Sequence, residues 1–379
     1  MKPQPANNEH LRNDPRVVLT LDAGGTTFRF SATQGGRPIV HTEPVSTRGD
    51  DVAACLDSLV RGFEAIRSRC PVAPVAISFA FPGPADYPAG IIGDLPNLPA
   101  FRGGIPLGPI LSDHFGLPVF INNDGDLFAF GEATAGFLPH VNAQLGAAGS
   151  HRRYRNLLGV TLGTGFGGGI VRRGELFAGD TCGAGEIWLL RNKLDPSVNA
   201  EDGACIRAIR RVYGQLAGVA VDAVPAPRTI AEIARGGHEG DRAAALEAYR
   251  RLGEVAGDAI AQALTIVDGL VVIGGGISRS GDLFMPALVA AMNDVFQKPA
   301  GPLRRIVQRA FNFEDAAGRA EFLRSNVRRL PVPGRDIGVP YDPMPRVAVG
   351  VSRLGTTEAI ALGAYAFALG TLDQTGGAG

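Results

Sequence analysis

Apolar and small residues alternate along Leu157-Leu-Gly-Val-Thr-Leu-Gly-Thr-Gly-Phe-Gly-Gly-Gly-Ile-Val171, with a tight turn in the middle. A period of two on both sides of a turn predicts a strand, a glycine turn and a second strand. The pattern occurs earlier at Val17-Val-Leu-Thr-Leu21, which ends in Asp22-Ala-Gly-Gly-Thr-Thr27 and resumes as Phe28-Arg-Phe-Ser-Ala32. A third apolar run, Leu270-Val-Val-Ile-Gly-Gly-Gly-Ile-Ser278, also enters glycines. Short apolar runs at 75–81, 117–121 and 346–351 predict further buried strands.

Between these runs the period lengthens. Val52, Leu56, Leu59, Phe63 and Ile66 recur at helical spacing within 51–70. Helices are also predicted from Leu127, over 242–267 (Leu252, Val255, Ala259, Ala263 and Val267 inward), over 282–297 and over 357–369. Asn199-Ala-Glu-Asp202 reads as a capped helix start, with Ile206, Ile209, Val212, Tyr213 and Leu216 on the buried face. Residues 139–155 read as a linker or exposed insertion, and 222–229 as a loop. Residues 298–345 are rich in Pro, Arg and Gly and match no period, apart from a helical stretch over 319–329. Strand–helix alternation implies α/β architecture with a largely parallel sheet.

Composition narrows the classes. A chain of 379 residues is long enough for two domains. Lys plus Arg equals Asp plus Glu at 37 each, so there is no basic excess to neutralise phosphates, and a nucleic-acid partner is not expected. The cluster His151-Arg-Arg-Tyr-Arg155 reads as a solvated loop. The polar N-terminus lacks the apolar core of a signal peptide, and no long apolar run spans a membrane. Cys55, Cys70, Cys182 and Cys205 form no CxxC pair, so reduced thiols in a cytoplasmic protein are expected.

The candidate chemistry lies at strand ends. Gly163, Gly165, Gly167, Gly168 and Gly169 permit positive φ and bare backbone, which suits an anion-binding nest, with Thr161 and Thr164 as hydroxyl donors. A glycine hairpin without a ligand is the other reading. Asp22, closing a buried strand, is a candidate to orient Mg²⁺ through water. Thr26 and the Gly24 and Gly25 amides are candidates for phosphate. Asp124 lies between a strand end and a helix start, where a carboxylate can take a proton from a substrate hydroxyl or cap the helix. Capping is preferred for Asp126. Glu186 beside Trp188 suits a sugar, whose hydroxyls need acceptors and whose C–H face packs on a ring; core packing of Trp188 is the alternative.

Taken together, Asp22-Ala-Gly-Gly-Thr26, Pro82-Gly83, Asn123-Asp124 with Gly131-Glu132, Gly163-Thr-Gly-Phe-Gly-Gly-Gly169, Ala184-Gly-Glu-Ile187 and Gly274-Gly-Gly-Ile277 resemble the ROK family of repressors and sugar kinases, within the actin-like ATPase superfamily. The resemblance covers about residues 17–290 and 346–370. It implies two actin-like (ribonuclease H-like) α/β domains with an interdomain cleft. The expected boundaries are a disordered arm over 1–16, an N-terminal domain over 17–136 and a C-terminal domain over 137–356 with an atypical insertion at 298–345. Helix 357–370 is expected to pack back on the first domain.

The implied activity is ATP-dependent phosphorylation of a hexose or hexose derivative at its 6-hydroxymethyl, with Asp124 as general base. Asp22, Gly24, Gly25, Thr26, Thr27, Gly163, Thr164, Gly165 and Gly167 would hold the ATP phosphates and their Mg²⁺. Gly274, Gly275 and Gly276 would contact adenosine. Gly83, Asn97, Asn123, Asp124, Glu186 and Trp188 would form the sugar site. A homodimer is expected. Where family members continue from Glu-Ile into Gly-His and a cysteine-rich zinc loop, this chain reads Glu186-Ile-Trp-Leu189. No zinc is therefore expected, and Trp188, Asn192 or Glu201 is a candidate to replace the histidine. A sugar-binding regulatory protein without turnover is the alternative. A sugar-responsive repressor fits less well, because only 21 residues precede Asp22, too few for a helix-turn-helix module.

Overall fold

The computed structural model describes residues 8–23, 27–94 and 101–376. They form two compact units. Unit 1 takes the chain up to Gly136, residues 174–184 and residues 354–379; unit 2 takes residues 137–173 and 185–353.

In unit 1 the strands run in the order Arg37–His41, Thr27–Gln34, Val17–Ala23, Pro74–Ala80, Val119–Asn122. Val17–Ala23 pairs antiparallel with Thr27–Gln34, with Ala23 opposite Phe28. Its other edge pairs parallel with Pro74–Ala80. Helix Val52–Arg67 covers one face, where Phe30 and Phe63 meet edge to face at 4.9 Å. The other face carries helix Thr356–Gly376, into which Ser78 Oγ donates at Ala364 O, 2.8 Å. That helix lies against Asp124–Thr134 so closely that a Cβ on Gly363 would be 2.0 Å from Leu127 O. Small residues set this spacing, which is why the sequence there is Ala- and Gly-rich.

Of the expected N-terminal arm, residues 1–7 lie outside the described residues. Asn8–Arg12 forms a short helix, and Arg16 bridges Asp14 and Asp373 at 2.7 and 2.6 Å.

Unit 2 repeats the hairpin-plus-parallel plan. Its strands run Phe166–Arg172, Asn156–Leu162, Leu270–Gly274, Arg346–Val351, Arg309–Asn312. The first pair is antiparallel and the rest are parallel. The long helix Arg242–Val267 packs on Gly281–Met292, where Cβ atoms on Gly253 and Gly257 would each meet backbone oxygens at 2.3 Å.

Several sequence expectations need correction. Within the stretch 139–155 expected as linker, residues up to Ala147 belong to helix Phe137–Ala147, which buries Phe137, Leu138, Val141 and Leu145. Helix Leu107–Phe115 was not anticipated, and helix Pro227–Arg235 begins inside the expected loop with proline at its start. Asn199 caps only the short 3-10 turn Ala200–Asp202, and the helix begins at Ile206. Leu216 is 46% exposed rather than buried. Residues 298–345 hold the sheet strand Arg309–Asn312, helix Ala316–Leu323 and a hairpin of Arg328–Pro331 with Gly338–Tyr341.

Candidate functional site

Unit 1 presents its candidate groups at the carboxyl ends of the parallel strands. Asp22 is the exposed penultimate residue of Val17–Ala23, and Thr27 opens the return strand, also exposed. Gly24, Gly25, Thr26 and Asn97 lie outside the described residues. Asp124 begins helix Asp124–Thr134 directly after strand Val119–Asn122. Asn123 is the cap: its Oδ1 accepts the Gly125 N–H at 2.7 Å, while Asp126, expected to cap, is buried in the first turn.

Asp124 Oδ1 also accepts the Gly125 N–H, at 2.9 Å. The carboxylate keeps solvent-accessible surface, yet the protein packed around it removes much of its hydration. This desolvation pushes its carboxyl above the ordinary carboxylate range, against the opposing pull of the Gly125 and Asp124 backbone amides. A carboxylate with raised proton affinity at a helix N-terminus is chemically a base with access to solvent-borne substrate.

Tyr87 joins this group without any signal in the sequence. Its hydroxyl donates to Phe81 O at 2.9 Å and accepts from Asn123 Nδ2 at 3.4 Å. A Cβ on Gly83 would lie 3.1 Å from the same hydroxyl. Gly83 and Asn123 are thus brought together through Tyr87.

In unit 2 the second and third glycine turns stand side by side, because Asn156–Leu162 and Leu270–Gly274 are parallel neighbours with Gly274 opposite Thr161. A Cβ on Gly163 would lie 4.0 Å from Gly276 N. The reason for glycine differs between them. Gly275 has φ +83° and its Cβ would meet Leu162 O at 2.1 Å. Gly163, Gly165, Gly167, Gly168 and Gly169 do not take positive φ, contrary to expectation. Three of them are glycine where neighbours come close: a Cβ on Gly165 would be 2.7 Å from Glu201 Oε2, one on Gly167 2.5 Å from Thr161 Oγ1, and one on Gly168 2.5 Å from Gly185 O. Thr164 is exposed at the turn.

Glu186 and Trp188 pair with each other, Trp188 Nε1 donating to Glu186 Oε2. Trp188 packs half-buried against the core of unit 2, so core packing accounts for much of its ring. Asn192, a candidate to take the place of the family histidine, has its side-chain oxygen engaged within its own loop. It is buried, and its Oδ1 accepts from Leu194 and Asp195 at 2.9 and 3.2 Å. Glu201 sits instead on the second glycine turn, accepting the Phe166 N–H at 3.1 Å.

Among the described residues no three His, Cys, Asp or Glu side chains gather as a metal site. Mg²⁺ that arrives with phosphates needs only one or two carboxylates and keeps several waters. The exposed carboxylate of Asp22, near the end of strand Val17–Ala23, fits that requirement. No helix among the described residues is long and apolar enough to cross a membrane.

Comparison with known proteins places the chain. The ROK family model matches residues 18–320. An N-acetyl-D-glucosamine kinase of Vibrio cholerae is 32% identical over 175 residues, 46% of this chain and 53% of that protein, so the match spans about half of that relative's length. Thermotoga maritima glucokinase is 29% identical over 290 residues, covering 72% of this chain and 85% of that one. The crystal structure of a glucokinase from Parabacteroides distasonis shares 50% identity, with a TM-score of 0.88 over 95% of this chain and 99% of that one. The fold is the actin-like two-domain α/β fold of the ROK kinases. With a family model matching residues 18–320, most of its length, this chain belongs to the ROK family.

Proposed function

We propose that this protein transfers the γ-phosphoryl group of ATP to the 6-hydroxymethyl of a hexose or hexose derivative. The observation that carries the reading is Asp124, a carboxylate of raised proton affinity held at a helix start beyond a parallel strand. The names of the relatives, glucokinase and N-acetyl-D-glucosamine kinase, support the substrate class.

In the proposed reaction the sugar hydroxyl gives its proton to Asp124 as its oxygen bonds to the γ-phosphorus. The bond from phosphorus to the bridging oxygen breaks, and ADP leaves with that electron pair. Such transfers depend on positioning and charge neutralisation. Unit 1 would contribute Asp22, the first glycine turn, Gly83 and Asn123. Unit 2 would contribute Gly163, Thr164, Gly165 and Gly167 toward phosphate, Gly274 to Gly276 toward adenosine, and Glu186 toward the sugar. Mg²⁺, held by Asp22 through water, would supply charge neutralisation.

A second reading, sugar binding without turnover, is favoured by one observation: Trp188 occupies an oxygen of Glu186. A coupled assay of ADP release against hexoses, ketoses and N-acyl hexosamines separates the two. The kinase reading expects sugar-dependent ADP release that Asp124→Asn abolishes. Wild-type sugar binding without ADP release would establish the alternative.

A further inference from the structure

A carboxylate of the protein's own sits on the second glycine turn. Glu201 Oε2 accepts the Phe166 N–H at 3.1 Å, and a Cβ on Gly165 would lie 2.7 Å from that oxygen. Its other oxygen takes Arg207 Nη2 at 2.8 Å, and Arg207 Nη1 donates to Thr164 O at 3.2 Å. Both residues are fixed from behind. Ala200 is fully buried, and Asn199 Oδ1 accepts the Asp202 N–H at 3.1 Å, which holds the Glu201 turn. Ile206 N–H donates to Gly163 O at 2.9 Å, which docks the start of helix Ile206–Ala217 on the glycine turn.

Stability does not account for this arrangement. The Arg207 side chain is 59% exposed and that of Glu201 25%. Exposed ion pairs contribute no more than about 1 kcal/mol. Backbone amides at a glycine turn attract an anion, and Glu201 satisfies one of them as an anion would. A phosphate oxygen would compete for the same amide and would repel the carboxylate. A guanidinium serves either partner, and its fork matches phosphate as well as carboxylate.

We propose that Glu201 holds the place of a phosphate oxygen at this turn, and that Arg207 is a nucleotide-phosphate ligand which exchanges Glu201 for the polyphosphate. The inference rests on the phosphotransfer reading above and names two residues of that site. Nucleotide binding then exchanges one charge-assisted pair for another, so the turn keeps its shape with and without nucleotide.

The test uses the full chain as wild type, Arg207→Ala, Arg207→Lys and Glu201→Gln. It measures MgADP affinity by calorimetry and KM for ATP and for sugar. Arg207→Ala is expected to weaken nucleotide binding about tenfold, the scale of one charge-assisted hydrogen-bonded contact. KM for sugar should stay unchanged. Arg207→Lys should recover part of the loss, because it keeps the charge and loses the fork. Glu201→Gln keeps an acceptor for Phe166 N–H and removes the competing charge, so it should tighten nucleotide binding several-fold.

Equal nucleotide affinity in wild type and Arg207→Ala overturns the proposal. So does a Glu201→Gln that weakens binding as Arg207→Ala does, since that marks the pair as scaffolding. Melting curves for each variant separate either result from unfolding. A folded wild type that binds no nucleotide overturns the phosphotransfer reading and this inference together, whereas nucleotide bound equally by all variants overturns this inference alone.

Discussion

Asn123 Nδ2 donates to the Tyr87 hydroxyl at 3.4 Å, and that hydroxyl donates to Phe81 O at 2.9 Å. The residue that caps the Asp124 helix is therefore tied to the chain leaving the neighbouring parallel strand. Two variants separate cap from tie. Asn123→Ala removes both and should cost about 1 kcal/mol of stability, the usual worth of a cap. Asn123→Ser restores the cap but not the amide, so stability should return while KM for sugar stays raised. Denaturant unfolding and steady-state kinetics measure the two effects. An Asn123→Ser as unstable as Asn123→Ala would mean that the side-chain cap is not what holds the helix start.

Asp124 sets a pH dependence with a definite sign. Its carboxyl is raised above the ordinary value by desolvation, and only the ionised form accepts a proton. The acid limb of kcat/KM should therefore fall at a pH above the ordinary carboxylate range. Stability runs the other way. A group whose folded proton affinity is raised binds more protons folded than unfolded, so stability drops as pH rises from the unfolded value through the folded one. Asp124→Asn should thus abolish turnover and raise the melting temperature at neutral pH. That gain should vanish below the ordinary carboxylate value, where both states are protonated. A Tm gain equally large in acid would show that charge is not its cause.

The third glycine turn offers an internal control. Gly275 combines φ +83° with a Cβ position 2.1 Å from Leu162 O, whereas Gly276 has open space around it. Gly275→Ala should destabilise by more than about 2 kcal/mol, since strain of roughly 1–3 kcal/mol adds to a backbone clash. Gly276→Ala should change stability by less than about 0.5 kcal/mol. Comparable losses in both would place the constraint in the turn as a whole rather than at Gly275.

Elements with buried, uninterrupted apolar runs were legible in the sequence. Leu270–Gly274 and Arg346–Val351 are parallel strands covered on both faces, and their composition says so directly. Helices that carry proline or glycine early were not. Leu107–Phe115 has Gly108 and Pro109 in its first turn, though Leu107, Leu111 and Phe115 keep helical spacing. Pro139 had the same effect on Phe137–Ala147. At the site, backbone turns were readable because glycine runs are local signals. Tyr87 and Arg207 were not, because each reaches its position through the path of a separate loop or helix. The positive φ expected of the glycines at 163–169 is absent, and at Gly165, Gly167 and Gly168 periodicity cannot distinguish positive φ from the close approach of Glu201, Thr161 or Gly185.

The stretch 298–345 shows how a buried charge can organise a region that no period describes. Arg346 is 3% exposed. Its Nη1 donates to Phe322 O and Arg324 O at 2.9 and 2.5 Å, and its Nη2 reaches both Asp342 oxygens at 3.0 Å. One guanidinium thus fastens the end of helix Ala316–Leu323 and the segment after Gly338–Tyr341 to the start of a central strand. Tyr154 reinforces it, donating to Arg346 O at 2.6 Å and stacking on Phe322 at 5.9 Å between ring centres. Arg346→Ala would leave the Phe322, Arg324 and Met344 carbonyls without this donor, while Asp342 would keep Arg152 and the Met344 N–H, each at 3.1 Å. The expected loss is about 3 kcal/mol, the scale for removing one partner from a buried charged network. Arg346→Lys should lose less, because an ammonium retains the charge but cannot bridge all of these partners. Urea unfolding measures both. Hydrogen exchange should show the Arg346→Ala loss concentrated in 316–342; protection lost evenly across unit 2 would mean that Arg346 supports the sheet itself rather than the segment folded over it.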